Sequence, residues 1–247
     1  MLKTLFNRTV AASLMVFVLL SSMLLFLAAL LIWLATVLVD RRLVILHHFT
    51  CFWACLYLWV FPAWSVSIEG REKIDRKKTY IMVSNHQSLV DILVVFRLFT
   101  HFKWVSKNEV FRIPLIGWNM LLNRYVGLVR GEQESIVKMY EACDNHLQQG
   151  SSIYMFPEGT RSPTGQLREF KEGAFVLAKK HQLPILTIAI NGSRDALPKH
   201  SLNFHGRHHI VISVLGEIPY SDFADTPVRE LAYQVRDKIS QHVVLSN

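Results

Sequence analysis

A chain of 247 residues can hold one ample domain, or one domain and an attachment; 51% of its side chains are apolar, high for a soluble protein. Its net charge of +8 suits nucleic acid, an anionic membrane or a phosphorylated substrate, but no long Lys/Arg run or nucleic-acid module accompanies it. Three cysteines, Cys51, Cys55 and Cys143, do not make a disulfide framework and read as small packing residues.

The charge is unevenly spread. Residues 1–68 carry only Lys3, Arg8, Arg41 and Arg42 against Asp40, while residues 69–247 carry all the others. This shift divides the chain into a membrane-attachment segment, 1–68, and an α/β domain, 69–247. Uncharged runs lie between Arg8 and Asp40 and between Arg42 and Glu69. As helices they would reach roughly 46 and 39 Å, against a hydrocarbon core of about 30 Å. Both are expected to be membrane-embedded, as two spans or as a hairpin entering one leaflet. His47, His48 and Pro62 hint at interfacial depth.

From Val66 onward apolar runs alternate with helical periods. Strands are expected at Val66–Ile68, Tyr80–Ser84, Lys103–Ser106, Tyr125–Val129, Ser152–Phe156, Ile185–Ile190 and Ile210–Leu215. Helices are expected at Val90–Phe99, Glu134–Gln148, Glu172–His181 and Val228–Val244. Strands this apolar, separated by helices, predict a mixed, mostly parallel sheet flanked by helices on both faces.

Two stretches carry chemistry. In Asn85-His86-Gln87-Ser88-Leu89-Val90-Asp91, at a strand-to-helix turn, His86 and Asp91 have the layout of a general base held in one tautomer by an orienting acid. The spacing is common, and Ser88 with Asp91 also fits a helix start in which the acid is only a cap. In Phe156-Pro157-Glu158-Gly159-Thr160-Arg161-Ser162, Gly159 permits close backbone approach and Arg161 offers a planar fork for phosphate or carboxylate. Glu158 there can hold the arginine or bind a substrate hydroxyl. The histidine pairs His47-His48 and His208-His209 lack the i, i+4 spacing of a zinc hydrolase, so no metal is expected.

Together, Asn85-His86-x-x-x-x-Asp91 and Phe156-Pro157-Glu158-Gly159-Thr160-Arg161 resemble the motifs of the glycerolipid acyltransferases, in particular those that acylate 1-acyl-glycerol-3-phosphate. Lys107-Asn108-Glu109 through Pro114-Leu115-Ile116-Gly117 to Arg124 is similar to a second block of that family, and Leu183-Pro184-Ile185-Leu186-Thr187 to a fourth. One departure is Asn123, where many relatives carry Asp. The resemblance implies acyl transfer to a lysophospholipid hydroxyl, with His86 and Asp91 catalytic. Arg161, Lys107 and Arg124 would then hold the lipid phosphate, Glu158 would help to place the glycerol, and Gly159 and Thr160 would also bind substrate. No cofactor is implied; acyl-CoA or acyl carrier protein is the co-substrate, the bilayer is a partner, and nucleic acid is not. Lysophosphatidic acid is the expected acceptor, with lysophosphatidylglycerol or lysocardiolipin as variants, and a non-catalytic lipid-binding protein is the rival of another class. The plain, compact chain is expected at a bacterial inner membrane, its domain on the cytoplasmic face. The apolar first part is also expected to help form the acyl tunnel.

Overall fold

The structure, a computed structural model, describes residues 2–60, 63–162, 164–197 and 207–244, and only the backbone of 2–12 and 14. Two helices open the chain, α1 (Leu2–Thr36) and α2 (Val44–Val60), followed by β1 (Trp64–Glu69) and β2 (Ile81–Ser84). Then come α3 (Val90–Phe96), β3 (Phe102–Lys107), α4 (Ile116–Leu122), β4 (Val126–Leu128), α5 (Gln133–Gln148) and β5 (Ser152–Met155). The chain continues with α6 (Gly173–His181), β6 (Ile185–Asn191), α7 (Ser193–Ala196), β7 (His208–Ile218) and α8 (Val228–Ser240).

The seven strands form one sheet in the order β1-β7-β6-β2-β5-β3-β4. Every neighbouring pair is parallel except β6 with β7, so β6, β2, β5, β3 and β4 point one way and β1 and β7 the other. All seven expected strands are present, and β2 and β5 are buried at every position. That is the pattern of parallel strands covered on both faces. On one face Met82, Trp104 and Tyr154 pack with α2 and α3; on the other Ile81, Val105 and Ile153 pack with α5, α6 and α8. Leu231, Val235 and Ile239, at four-residue spacing along α8, are its buried seam.

The compositional step at residue 68 is not a packing boundary. β1 begins before it and pairs with β7, and α2 packs against α3 as part of the α/β core. α2 has 17 residues; it buries Leu46, Thr50, Cys51, Trp53 and Leu58 and leaves Ile45, Phe52 and Trp59 exposed. Asp40 accepts a hydrogen bond from the Ile45 amide at 2.8 Å, satisfying a free donor at the start of α2. His47 is no interfacial residue. It is fully buried, bonded to the Tyr125 hydroxyl at 2.8 Å and the Thr100 carbonyl at 2.9 Å. Pro62 lies outside the described residues.

α1 differs. Met15–Thr36 is long and apolar enough to cross a membrane, and Leu20, Leu24, Leu27, Leu31 and Leu34 are exposed along it. Its other side rests on α2 and α4, with the Ser22 and Tyr57 hydroxyls 2.7 Å apart and Phe26 edge-on to Trp118. α4 was not expected from the sequence. It packs on the preceding turn through Gly117, where a Cβ would fall 2.2 Å from the Phe111 carbonyl oxygen.

Candidate active site

The carboxyl ends of β2 and β5 hold the two motif loops side by side. Val83 pairs with Met155, and three further residues along each strand stand His86 and Glu158. Asn85 extends the sheet beyond β2: its side chain donates to the Ile190 carbonyl and accepts from the Ile190 amide, both at 2.8 Å.

His86 is held from every side. Nδ1 lies 2.8 Å from Asp91 Oδ2, and the same oxygen accepts the backbone amides of Gln87 (2.7 Å) and Ser88 (2.9 Å). The main chain of His86 is tied to the other loop, its amide donating to Glu158 Oε1 at 2.7 Å and its carbonyl accepting from the Ser162 amide at 2.8 Å. Phe156 stacks on the imidazole, with centroids 4.0 Å apart and planes within 12°, and Trp104 lies behind Phe156 at 5.3 Å. The His86 side chain keeps 12% exposure while Asp91 has none. An imidazole fixed through Nδ1 leaves Nε2 as its working nitrogen.

Ser88 stands at the start of α3 as expected, its hydroxyl accepting from the Val90 amide at 3.3 Å. The same buried hydroxyl donates to the Leu197 carbonyl at 2.7 Å. That bond occupies the hydroxyl proton and argues against Ser88 as a nucleophile. Glu158 differs from its reading as a substrate ligand. Its carboxylate is buried, with Oε1 on the His86 amide and Oε2 on the Arg168 amide at 3.0 Å. Burial raises its pKa, and the two amide bonds oppose that rise. Gly159 turns the loop at φ 69°, a left-handed conformation that favours glycine.

A cavity of about 830 Å³ opens onto His86. Gly159, Thr160, Arg161 and Lys107 line it, as do Thr50, Trp53, Ala54 and Tyr57 of α2, so the apolar first part of the chain does supply wall. Lys107 is half exposed and paired with Glu109 at 2.7 Å. Arg124 is not brought to the cavity. It precedes β4 at the amino end of the parallel strands, opposite the site, with φ 54° and its carbonyl bonded to His146. Beside Arg161, the arginine that lines the cavity is Arg130, just past the carboxyl end of β4. Lys107 pairs with Leu128, so the order strand-then-arginine could have singled out Arg130 from sequence, because sites in open α/β sheets lie at carboxyl ends. Asn123 is a packing residue, its amide donating to Thr50 at 3.0 Å and to the Asn119 carbonyl at 2.9 Å.

A mostly parallel sheet with a carboxylate-oriented histidine at its carboxyl ends, over an apolar cavity, gives an α/β fold with a candidate general base beside space for an apolar substrate. The family model described as Acyltransferase matches residues 65–191. The chain is 38% identical over 171 residues to a chloroplastic 1-acyl-sn-glycerol-3-phosphate acyltransferase of Arabidopsis thaliana, covering 67% of this chain and 47% of the relative. It is 33% identical over 179 residues to a 1-acyl-sn-glycerol-3-phosphate acyltransferase of Saccharomyces cerevisiae, covering 70% and 58%. The crystal structure of a 1-acyl-sn-glycerophosphate acyltransferase of Thermotoga maritima shares the fold, with a TM-score of 0.64 over 91% of this chain and 95% of that one, at 24% identity. This chain belongs to the acyltransferase family. It spans about half the length of the plant relatives it matches.

Proposed function

We propose that this protein transfers a fatty acyl group from an acyl thioester, acyl-CoA or acyl carrier protein, to the sn-2 hydroxyl of lysophosphatidic acid, forming phosphatidic acid. The observation that carries the reading is the 2.8 Å His86–Asp91 contact on the wall of the cavity. His86 Nε2 takes the proton of the acceptor hydroxyl as its oxygen attacks the thioester carbonyl. The tetrahedral intermediate then expels the thiolate, which recovers that proton from the imidazolium. Asp91 orients the ring and favours the imidazolium; general-base help of this kind supplies a factor of roughly 10²–10⁴. Arg161, Lys107 and Arg130 are the cations we assign to the lipid phosphate, because they line the cavity together. Gly159 and Thr160 bring backbone to the same wall. Glu158 acts through the two loops it joins. The exposed apolar side of α1 supports membrane association, which keeps a lipid acceptor beside the site.

The test is acyl transfer by the detergent-solubilised protein with lysophosphatidic acid, lysophosphatidylglycerol and lysocardiolipin offered in parallel. Product from lysophosphatidic acid, reduced about 10²–10⁴-fold in His86→Ala with an unchanged fold, is expected. Product from another acceptor alone would change the substrate and keep the chemistry. No product from any acceptor with either thioester would replace the enzyme by a lipid-binding protein.

A further inference from the structure

The void at His86 passes from one face of the sheet to the other. Trp104 and Phe156 line it and belong to the face covered by α2 and α3. Their chain neighbours Val105 and Met155 also line it and belong to the opposite face, under α5 and α6. Consecutive strand residues point to opposite faces. A single void touched by both members of each pair must therefore turn around the carboxyl ends of β3 and β5.

Its two branches differ in chemistry. Between α2, α3 and α4 the void is lined by Trp53, Ile92, Leu93, Phe96 and Met120, with Thr50, Asn119 and Tyr125, a largely apolar wall suited to an alkyl chain. The branch under α5 and α6 is walled by Leu128, Ile136 and Met139 but carries polar groups as well. Tyr140 lines it, and a Cβ on Gly173 would come within 3.3 Å of the Tyr140 hydroxyl, so the glycine leaves room beside that oxygen. Lys171 and Glu172 complete the lining with further donors and acceptors.

We propose that the branch under α5 and α6 binds the 4′-phosphopantetheine arm of the acyl thioester. This rests on the reading of the site as an acyltransferase. The two substituents of a thioester carbonyl carbon leave it in different directions. With the alkyl chain in the α2–α3–α4 branch, the sulfur and its arm leave through the other opening of the same void. The arm carries two amides and a hydroxyl, which the Tyr140 phenol and the adjacent side chains of Lys171 and Glu172 can meet, and a gem-dimethyl group that suits Met139 and Ile136. A second alkyl chain, that of the acceptor, would leave those polar groups unmet. The arm is common to coenzyme A and acyl carrier protein.

The experiment uses the full chain in detergent, with Tyr140→Phe to remove the hydroxyl and Met139→Trp to fill the branch. Binding of S-hexadecyl-CoA and of palmitate is measured by calorimetry, and KM is measured for palmitoyl-CoA, palmitoyl–acyl carrier protein and lysophosphatidic acid. Expected are S-hexadecyl-CoA binding weakened tenfold or more in Met139→Trp and about threefold in Tyr140→Phe, palmitate binding unchanged, and equal rises in KM for both thioesters. A rise in KM for lysophosphatidic acid alone would give the branch to the acceptor chain and overturn the proposal. So would a rise confined to palmitoyl-CoA, which would mark a nucleotide contact, or unchanged S-hexadecyl-CoA binding in both variants. If wild-type protein turns over no substrate, the functional reading fails while the two binding measurements still decide the branch.

Discussion

The two ends of the parallel strands both bury charge, and they do so in opposite ways. At the carboxyl ends Asp91 and Glu158 are carboxylates met by backbone amides, and a histidine between them faces a cavity. At the amino ends Lys103 is 1% exposed and its ammonium donates to two carbonyls, those of Arg42 and Asn123, each at 2.8 Å. His47 and His101 are bonded to main-chain carbonyls nearby. The first arrangement holds one ring nitrogen and leaves the other toward a void. The second binds the α1–α2 turn to the base of the sheet, with the ammonium bonded to two main-chain carbonyls. A buried titratable group becomes a candidate for chemistry when its partners leave one atom directed at space, and a structural tie when they do not.

Three substitutions sharpen that contrast. The largest effect is expected from Glu158→Gln, since an amide cannot accept from both the His86 and Arg168 amides through the charged oxygens it replaces. Losing charge-assisted bonds of this kind costs about 1.5–3 kcal/mol of stability, and the shifted His86 should lower kcat about 10²-fold. Comparable losses in kcat at nearly constant KM, measured with melting curves, would establish a positioning role; a rise in KM for the acceptor with kcat retained would restore Glu158 as a substrate ligand.

Phe156→Leu comes next. It keeps apolar bulk and removes the flat surface on which the imidazole lies. We expect a fall of about tenfold in kcat, the cost of roughly 1.4 kcal/mol in the barrier, with partial recovery in Phe156→Tyr. Equal activity of the leucine and wild-type proteins would show that the Asp91 bond alone fixes the ring.

The smallest effect concerns the other end of the sheet. Burial, with Arg124 and Arg42 nearby and Asp40 opposing them, lowers the pKa of Lys103 to about 7. The unfolded chain keeps that proton up to about 10.4, so between these values the unfolded state binds more protons and stability rises with pH. The two carbonyl acceptors favour the ammonium and hold the gain down. Between pH 7 and 9.5 the wild-type protein should gain roughly 2–4 °C in Tm relative to Lys103→Met, the shift that about 1 kcal/mol produces at this size. A difference that stays constant with pH would mean that Lys103 remains charged throughout.

The sequence carried the strands because each is a largely apolar stretch, buried at every position in β2 and β5, and all seven lie where those stretches stand. It singled out His86, Asp91 and Arg161 because their motifs are local strings, and the fold sets His86 against Asp91 and Arg161 on the cavity wall. It did not show that α2 packs one side on α3, since 26 uncharged residues look the same whether they meet lipid or the protein's own helices. It missed α4, whose start needs Leu115 at φ 65° and Gly117 against Phe111, features of backbone and contact rather than of periodicity.

What the sequence determined by itself, then, is what depends on neighbours along the chain: burial pattern, strand and helix period, and the chemistry of each motif. The tertiary structure alone decided what depends on strand order and direction. Placing β5 beside β2 with parallel register set Glu158 against the His86 amide, and running β4 parallel to β3 put Arg130 at the site and Arg124 at the far end. Those outcomes rest on contacts between residues up to 72 positions apart, Glu158 and His86 among them, and no local spacing encodes which strand edges will meet.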